Sequence, residues 1–269
     1  MKLLPIAMVF CLATPLPLAA QTPTAADSSP FTGTWKADVK SAKLPTKPDQ
    51  YLLKGGTYSC SSCTPAIKLA ADGQFHPVTS DGYYDEMRVA ITDPNTVSYA
   101  TRLKGKDVGT STDTVSPDGK MLTSAWRSVN AANGTPVEGS ATWTRLSASP
   151  AGAHAISGSW RRAAVQSVSD AALSLTLDDT GKGLKLSTGT GESYDAVYGG
   201  PAVPMIGDPA STMVRVARID PRTIVETGMR DGKVTYTYRM QVAPDGRSMT
   251  VLSSNKRSGN QTTFIAYKQ

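Results

Sequence analysis

Histidine and cysteine are scarce: 269 residues hold two of the first and three of the second. That supply cannot build a zinc array, and with Thr64 rather than histidine after Cys63 the usual haem-attachment signal is missing. Charge of one sign is not concentrated either. The formal net charge is +6, but Lys36, Lys40, Lys43, Lys47 and Lys54 are spread through turn-like sequence and no basic cluster interleaves with aromatic residues. A solubilising surface accounts for this surplus, and nucleic acid is not an expected partner. Beyond the first segment no apolar run approaches the roughly 20 residues that a membrane span needs. Gly-x-Ser-x-Gly, His-Glu-x-x-His and phosphate-binding glycine loops are also absent, so no cofactor and no nucleophile context is expected. Helical periodicity is limited to a brief segment near Val168 to Leu173.

The one apolar run that does occur, Leu3 to Leu12, follows Met1-Lys2 and closes on Leu18-Ala19-Ala20. This is the layout of a secretory signal over residues 1–20, cleaved after Ala20. Pro5, Pro15 and Pro17 interrupt the run and argue against a transmembrane anchor. Cleavage removes Cys11 and leaves Cys60 and Cys63, which in an oxidising compartment are expected to be joined. The expected location is exported, periplasmic or extracellular. Residues 21–30 are polar and proline-bearing, a flexible lead-in.

From Phe31 onward the chain reads as short alternating runs, such as Met87-Arg88-Val89-Ala90-Ile91 and Thr235 to Val242, bounded by the pairs Asp72-Gly73, Asp118-Gly119, Asp231-Gly232 and Asp245-Gly246. These are the marks of antiparallel strands joined by hairpins. The chain also repeats itself. A shift of 127 residues lays Arg88-Val89-Ala90 on Arg215-Val216-Ala217, Asp93-Pro94 on Asp220-Pro221 and Pro117-Asp118-Gly119 on Pro244-Asp245-Gly246, with 14 identities in the 37 positions from Arg88 to Ser124. Turn residues recur for local steric reasons, but several turns at one constant spacing require a shared scaffold. The expectation is all-β, with two tandem homologous antiparallel β-barrel units at residues 31–147 and 155–269, joined by a linker at 148–154.

Both units open alike, Phe31-Thr32-Gly33-Thr34-Trp35-Lys36 against Ile156-Ser157-Gly158-Ser159-Trp160-Arg161. The Gly-x-Trp opening, with Arg145 late in the first unit (Trp143-Thr144-Arg145-Leu146), resembles the lipocalin or calycin pattern. That resemblance implies a barrel plugged by tryptophan, with Trp35, Trp160 and Arg145 as structural residues and the arginine packed across the tryptophan. The second unit departs from the pattern, ending Tyr267-Lys268-Gln269 without arginine. The first unit also resembles secreted bacterial proteins that open Phe-x-Gly-Thr-Trp-Lys, continue through Ser-Ala-Lys and carry Tyr-Ser-Cys-x-x-Cys-Thr-Pro, which stand in this chain at Phe31 to Lys36, Ser41 to Lys43 and Tyr58 to Pro65. This likeness implies fold and export and carries no catalytic residues.

Three groups of candidate residues remain. Cys60-Ser61-Ser62-Cys63 has the spacing of a structural disulfide, of a thiol-redox pair or of two metal ligands, but a zinc site needs two more ligands and no metal is expected. His76 with Asp81, Asp85 or Glu86 supplies the ingredients of a general base and its orienter. Adjacent carboxylates such as Asp85-Glu86 and Asp178-Asp179 point to opposite faces of a strand and read as surface charge. Tyr83, Tyr84 and Tyr99, with Tyr194, Tyr198, Tyr236 and Tyr238, include alternating pairs able to put two rings on one barrel face. With Met87, Met213, Met229 and Met240 they can line an apolar cup for a lipid or other small hydrophobic molecule, or serve as ordinary core. The leading functional expectation is a non-enzymatic exported binding protein. An enzyme at a barrel mouth using His76 and a structural or interaction module of the cell envelope are the alternatives, and the sequence leaves the oligomeric state open.

Overall fold

The structure, a computed structural model, describes residues 29–80 and 82–269. The expected signal, residues 21–28 of the lead-in and Asp81 lie outside the described residues. In chain order the strands are β1 (Gly33–Lys43), β2 (Asp49–Lys54), β3 (Thr57–Cys60), β4 (Ile67–Ala70), β5 (Phe75–Pro77), β6 (Glu86–Asp93), β7 (Thr96–Leu103), β8 (Lys106–Val115), β9 (Met121–Ser128) and β10 (Val137–Arg145). There follow β11 (Gly158–Val168), the single turn of helix α1 (Asp170–Leu173), β12 (Ser174–Asp179), β13 (Gly183–Thr188), β14 (Ser193–Val197), β15 (Val203–Pro204), β16 (Met213–Asp220), β17 (Thr223–Arg230), β18 (Lys233–Val242), β19 (Ser248–Asn255) and β20 (Gln261–Lys268). They form two nearly closed antiparallel barrels of ten strands each. No helix among the described residues is long and apolar enough to cross a membrane.

Alternation drives the sheets into barrels. On β16, Val214 and Val216 are buried while Met213 and Arg215 face out, so one face must be covered and the other can stay wet. The turns set the register. Lys104-Gly105 and Asp231-Gly232, which correspond under the repeat, both have two consecutive residues in the left-handed region (φ 51° and 76°, 49° and 70°), the requirement of a two-residue type I′ hairpin. They join β7 to β8 and β17 to β18.

The strands are not shared out as the repeat suggests. The first barrel runs β4-β3-β2-β11-β10-β9-β8-β7-β6-β5, and the second runs β14-β13-β12-β1-β20-β19-β18-β17-β16-β15. The opening strands have therefore changed places. β1 lies between β12 and β20, with Trp35 opposite both Leu175 and Lys268. β11 lies between β2 and β10, with Trp160 opposite Asp49 and Arg145. The expected boundaries 31–147 and 155–269 are displaced accordingly: the first barrel is the continuous stretch from β2 to β11, inserted between β1 and the remainder of the second. The expected linker is a connection inside the first barrel, fixed where the His154 amide donates to the Leu53 carbonyl (2.8 Å). One physical cause is legible. The β1–β2 connection, Leu44-Pro45-Thr46-Lys47-Pro48, carries two prolines that restrict φ and remove donors, which favours an extended crossing over a tight hairpin.

Each exchanged strand brings its plug. Trp35 and Trp160 are fully buried, and their indole N–H groups donate to the carbonyls of Phe31 and Ile156, four residues upstream, at 2.8 Å in both barrels. Trp35 belongs to a core with Leu177, Val216, Ile224 and Met249, and Trp160 to one with Leu53, Val89, Val97 and Leu122. The arginine expected to pack across a tryptophan does so across the other unit's indole: the Arg145 guanidinium lies 4.0 Å from the Trp160 ring centroid and donates to the carbonyls of Ser157 (2.7 Å) and Gly119. Lys268 takes the same place in the second barrel, 5.2 Å from the Trp35 ring and 3.1 Å from the Pro30 carbonyl. The glycine of Gly-x-Trp is needed at both plugs. Gly33 and Gly158 have φ of 135° and 123°, and a Cβ there would stand 3.1 Å from Lys268 Cε and 2.8 Å from the Ser147 carbonyl oxygen.

Cys60 and Cys63 are joined by a disulfide that closes the turn between β3 and β4, with Cα atoms 5.4 Å apart. The same turn is tied to β2 by the Gln50 amide, which donates to Ser62 Oγ at 2.8 Å.

Two outcomes are expected from this topology. A fragment of residues 49–169 should unfold cooperatively in urea and show near-ultraviolet dichroism, whereas a fragment of residues 31–147, which lacks Trp160 and its strand, should show neither. A cooperative transition in the second fragment alone would restore the boundary at residue 147. In the full chain, Trp160→Ala should cost about 3–5 kcal/mol in the same urea assay, because it leaves a large cavity in a packed core.

Candidate ligand cavity

The second barrel is not filled. Between its plug and its open end lies a cavity of about 580 Å³. Its walls carry Leu175, Leu186, Met205, Met240, Val251 and Phe264, together with Tyr236 and Tyr238. Strand phase explains the last pair: both residues fall on the inward side of β18, and their ring centroids are 4.9 Å apart. Tyr236 can lie flat only because its neighbour on β17 is Gly228, where a Cβ would stand 2.1 Å from the ring. The first barrel repeats the device, with Trp126 lying over Gly139.

A carboxylate sits in this apolar wall. Glu226 is 2% exposed and follows Ile224 in the inward phase of β17. Its Oε2 accepts from the Tyr194 hydroxyl at 2.7 Å and its Oε1 from the Tyr236 hydroxyl at 3.0 Å. Burial pushes the Glu226 carboxyl above the ordinary range, against the pull of the two tyrosine hydrogen bonds. Burial, and next the glutamate charge, push Tyr194 and Tyr236 upward, so both remain donors.

The open end is built from both barrels. Tyr83, from the connection before β6 in the first barrel, lines the cavity of the second. Arg230 Nη2 donates to the Tyr83 hydroxyl at 2.6 Å, its guanidinium lies 4.8 Å from the Tyr83 ring, and its Nε donates to Thr212 Oγ1 at 2.9 Å. Burial, then the nearby Asp208 charge, raise the Tyr83 phenol to about 12. Asp208 itself accepts from the Thr212 amide at 2.8 Å, and Glu192 accepts from the hydroxyls of Thr188 and Thr190. A second cavity of about 420 Å³ adjoins the first barrel's interior, and Tyr83, Thr190 and Glu192 line both.

The tyrosines named from sequence divide into four places. Tyr236 and Tyr238 line the larger cavity, with Tyr194 directly behind Glu226. Tyr83 and Tyr84 stand where the barrels meet. Tyr99 is buried in the first barrel, edge-on to Tyr58 at 5.5 Å. Tyr198 is at the plugged end, where it meets Arg218 (guanidinium 4.8 Å from the ring), which is itself paired with the buried Asp179. Of the methionines, Met240 lines the cavity, Met87 is core of the first barrel and Met213 faces outward.

His76 and Asp85 do not meet as a catalytic pair. His76 Nε2 lies 2.9 Å from Asp72 Oδ1 on the short strand β5, and His76 lines neither cavity. The Asp85 carboxylate accepts from the Lys104 amide at 2.9 Å and so holds the type I′ turn in place.

Sequence reasoning passed over Glu226, Asp113, Glu192 and Asp208. The signal for Glu226 was present: a charged residue in the apolar phase of an alternating strand, at the repeat position where the first unit has Tyr99. Asp113 is a similar case on the inner face of β8, where burial raises its carboxyl to about 6 against the opposing pull of the nearby Ser124 and Tyr99 hydroxyls. Comparison of the sequence with known protein families and with characterised proteins finds no match.

The raised carboxyls set the sign of a pH effect. A carboxyl whose pKa is higher in the folded state holds its proton after the unfolded chain has lost it, so stability falls as pH rises through that interval. For Asp113 the interval runs from about 4 when unfolded to about 6 when folded. Asp113→Asn is therefore expected to gain stability over the parent above that interval, by at most about 3 kcal/mol, and none below it. Urea midpoints for the two proteins across the interval check this, and parallel curves would refute it.

Proposed function

We propose that the protein is an exported, non-enzymatic carrier that binds a small, largely apolar molecule inside its second barrel. The observation that carries this reading is the 580 Å³ cavity, lined mainly by apolar and aromatic side chains with a few convergent polar groups. Its size and mixture of surfaces are those of small-molecule sites in general. Two further features support the reading. The cavity is walled by regular strands, so its shape is set before a ligand arrives and little ordering cost falls on binding. The charged residues of the lining are Glu226, bonded to its tyrosines, and Glu192 and Asp208 at the rim, which suits an amphiphile with one polar end. Export rests on the residue 1–20 pattern and fits the disulfide between Cys60 and Cys63.

A neutral environment-sensitive dye, N-phenylnaphthylamine, tests the proposal. We expect saturable binding to the full chain. Ser253 lies on the cavity wall, and Ser253→Trp, which fills the space, should weaken binding at least roughly tenfold while the near-ultraviolet dichroism remains that of a folded barrel. Non-saturable uptake, or binding indifferent to the substitution in a folded variant, would sink the reading.

A further inference from the structure

We propose that the second-barrel cavity takes a cationic amphiphile, an apolar body ending in an amine or quaternary ammonium group, with Glu226 as the counter-charge. The inference rests on the carrier reading and specifies its ligand.

The argument begins with the charges on the walls. Among the described residues that line the cavity there are three carboxylates, Glu192, Asp208 and Glu226, and no lysine, arginine or histidine. This stands against the surplus of basic residues in the chain as a whole, 28 against 22 acidic. A cation beside the rim, Arg230, donates to Tyr83 and Thr212. An anionic head group would meet two carboxylates at the rim and would further oppose the ionisation of Glu226, which burial already disfavours, whereas a cation beside Glu226 would favour it. A fatty acid is therefore the wrong polarity for this cavity.

Capacity comes next. An ionised carboxylate offers about four acceptor positions. Tyr194 occupies one on Oε2 and Tyr236 one on Oε1, so each oxygen keeps an acceptor position while the side chain lines the cavity. An ammonium group is all donor and complements that residue directly. The walls add a second attraction. Tyr236 and Tyr238, 4.9 Å apart, stand beside Glu226, and ring faces draw cations most strongly where water is excluded. The apolar remainder of the ligand has Leu186, Met240, Val251 and Phe264 to cover it.

Displacement of bound N-phenylnaphthylamine by decylamine, decanol and decanoate distinguishes the possibilities in the full chain. We expect decylamine to displace the dye at a concentration at least roughly tenfold below either of the others, and the amine-to-alcohol ratio to fall toward one in Glu226→Gln, which keeps the size of the side chain and one acceptor oxygen while removing the charge. Asp208→Asn, at the rim, should narrow the ratio less. Equal displacement by the three, or preference for decanoate, overturns the inference and leaves the carrier standing. So does an amine preference that persists undiminished in Glu226→Gln. If Glu226→Gln does not fold, the ranking of the three competitors on the parent protein still decides. Dye that binds saturably but yields to none of them also counts against the inference, whereas dye that never binds saturably removes the carrier reading and this one together.

Discussion

Burial of one indole in each barrel is the interaction on which the architecture depends. Trp35 and Trp160 each close the narrow end, satisfy their only polar atom on a carbonyl four residues upstream, and lie under a cation from the strand paired with their own. A buried tryptophan without a partner for its N–H would lose much of what its area contributes. The Phe31 and Ile156 carbonyls remove that cost, and the glycine between carbonyl and indole lets the backbone turn tightly enough to bring them together. Because the plug travels with its strand, the exchange of β1 and β11 also exchanges the plugs. The two halves of the repeat are therefore interlocked rather than strung in series.

The two interiors have diverged on this common frame. The first contains Tyr51, Tyr58, Tyr99 and Trp126, large rings that take up space, with Asp113 among them. In the second, the position equivalent to Tyr99 is Glu226, and the inward side of β18 carries Tyr236 and Tyr238 where β8 has Gly109 and Ser111. Moving aromatic bulk from one strand to the next leaves space in the middle of the barrel and sets a carboxylate against it. Glycine at 228 makes the move possible, since any side chain there would hold the Tyr236 ring away from its strand.

Much of the frame was legible in the residues. Alternation, the aspartate-glycine turns and the constant repeat spacing describe local geometry, and local geometry is what one strand or one turn dictates. The two Gly-x-Trp openings marked both plugs for the same reason. Their exchange was hidden because Phe31-x-Gly33-x-Trp35 and Ile156-x-Gly158-x-Trp160 present the same shape to a barrel, so the pattern alone does not say which barrel receives which strand. For the same reason the pattern does not say which tryptophan Arg145 covers, and Lys268 was not recognised as its counterpart. The cavity was less legible still. Inward tyrosines read alike whether they fill a core or line a hollow, and the difference lies in Gly228 and in Glu226, whose significance depends on strands distant in sequence. His76, conspicuous for its rarity, pairs with its neighbour Asp72 away from both cavities.

The chain passes between the barrels twice, once through residues 44–48 and once through residues 169–173. Bodies joined by a single tether can swivel about all three axes, whereas two attachments at separate points leave rotation only about the line through them. The insertion of one barrel into the other thus restrains their relative rotation more than a single tether would. Direct bonds add to that restraint: Asn133 of the first barrel donates its amide to the Thr190 carbonyl at 3.2 Å and its Nδ2 to the Gly189 carbonyl at 3.1 Å in the second. The residue most affected is Tyr83, which belongs to one barrel and walls the cavity of the other: its place there is held by the double connection as well as by its bond to Arg230.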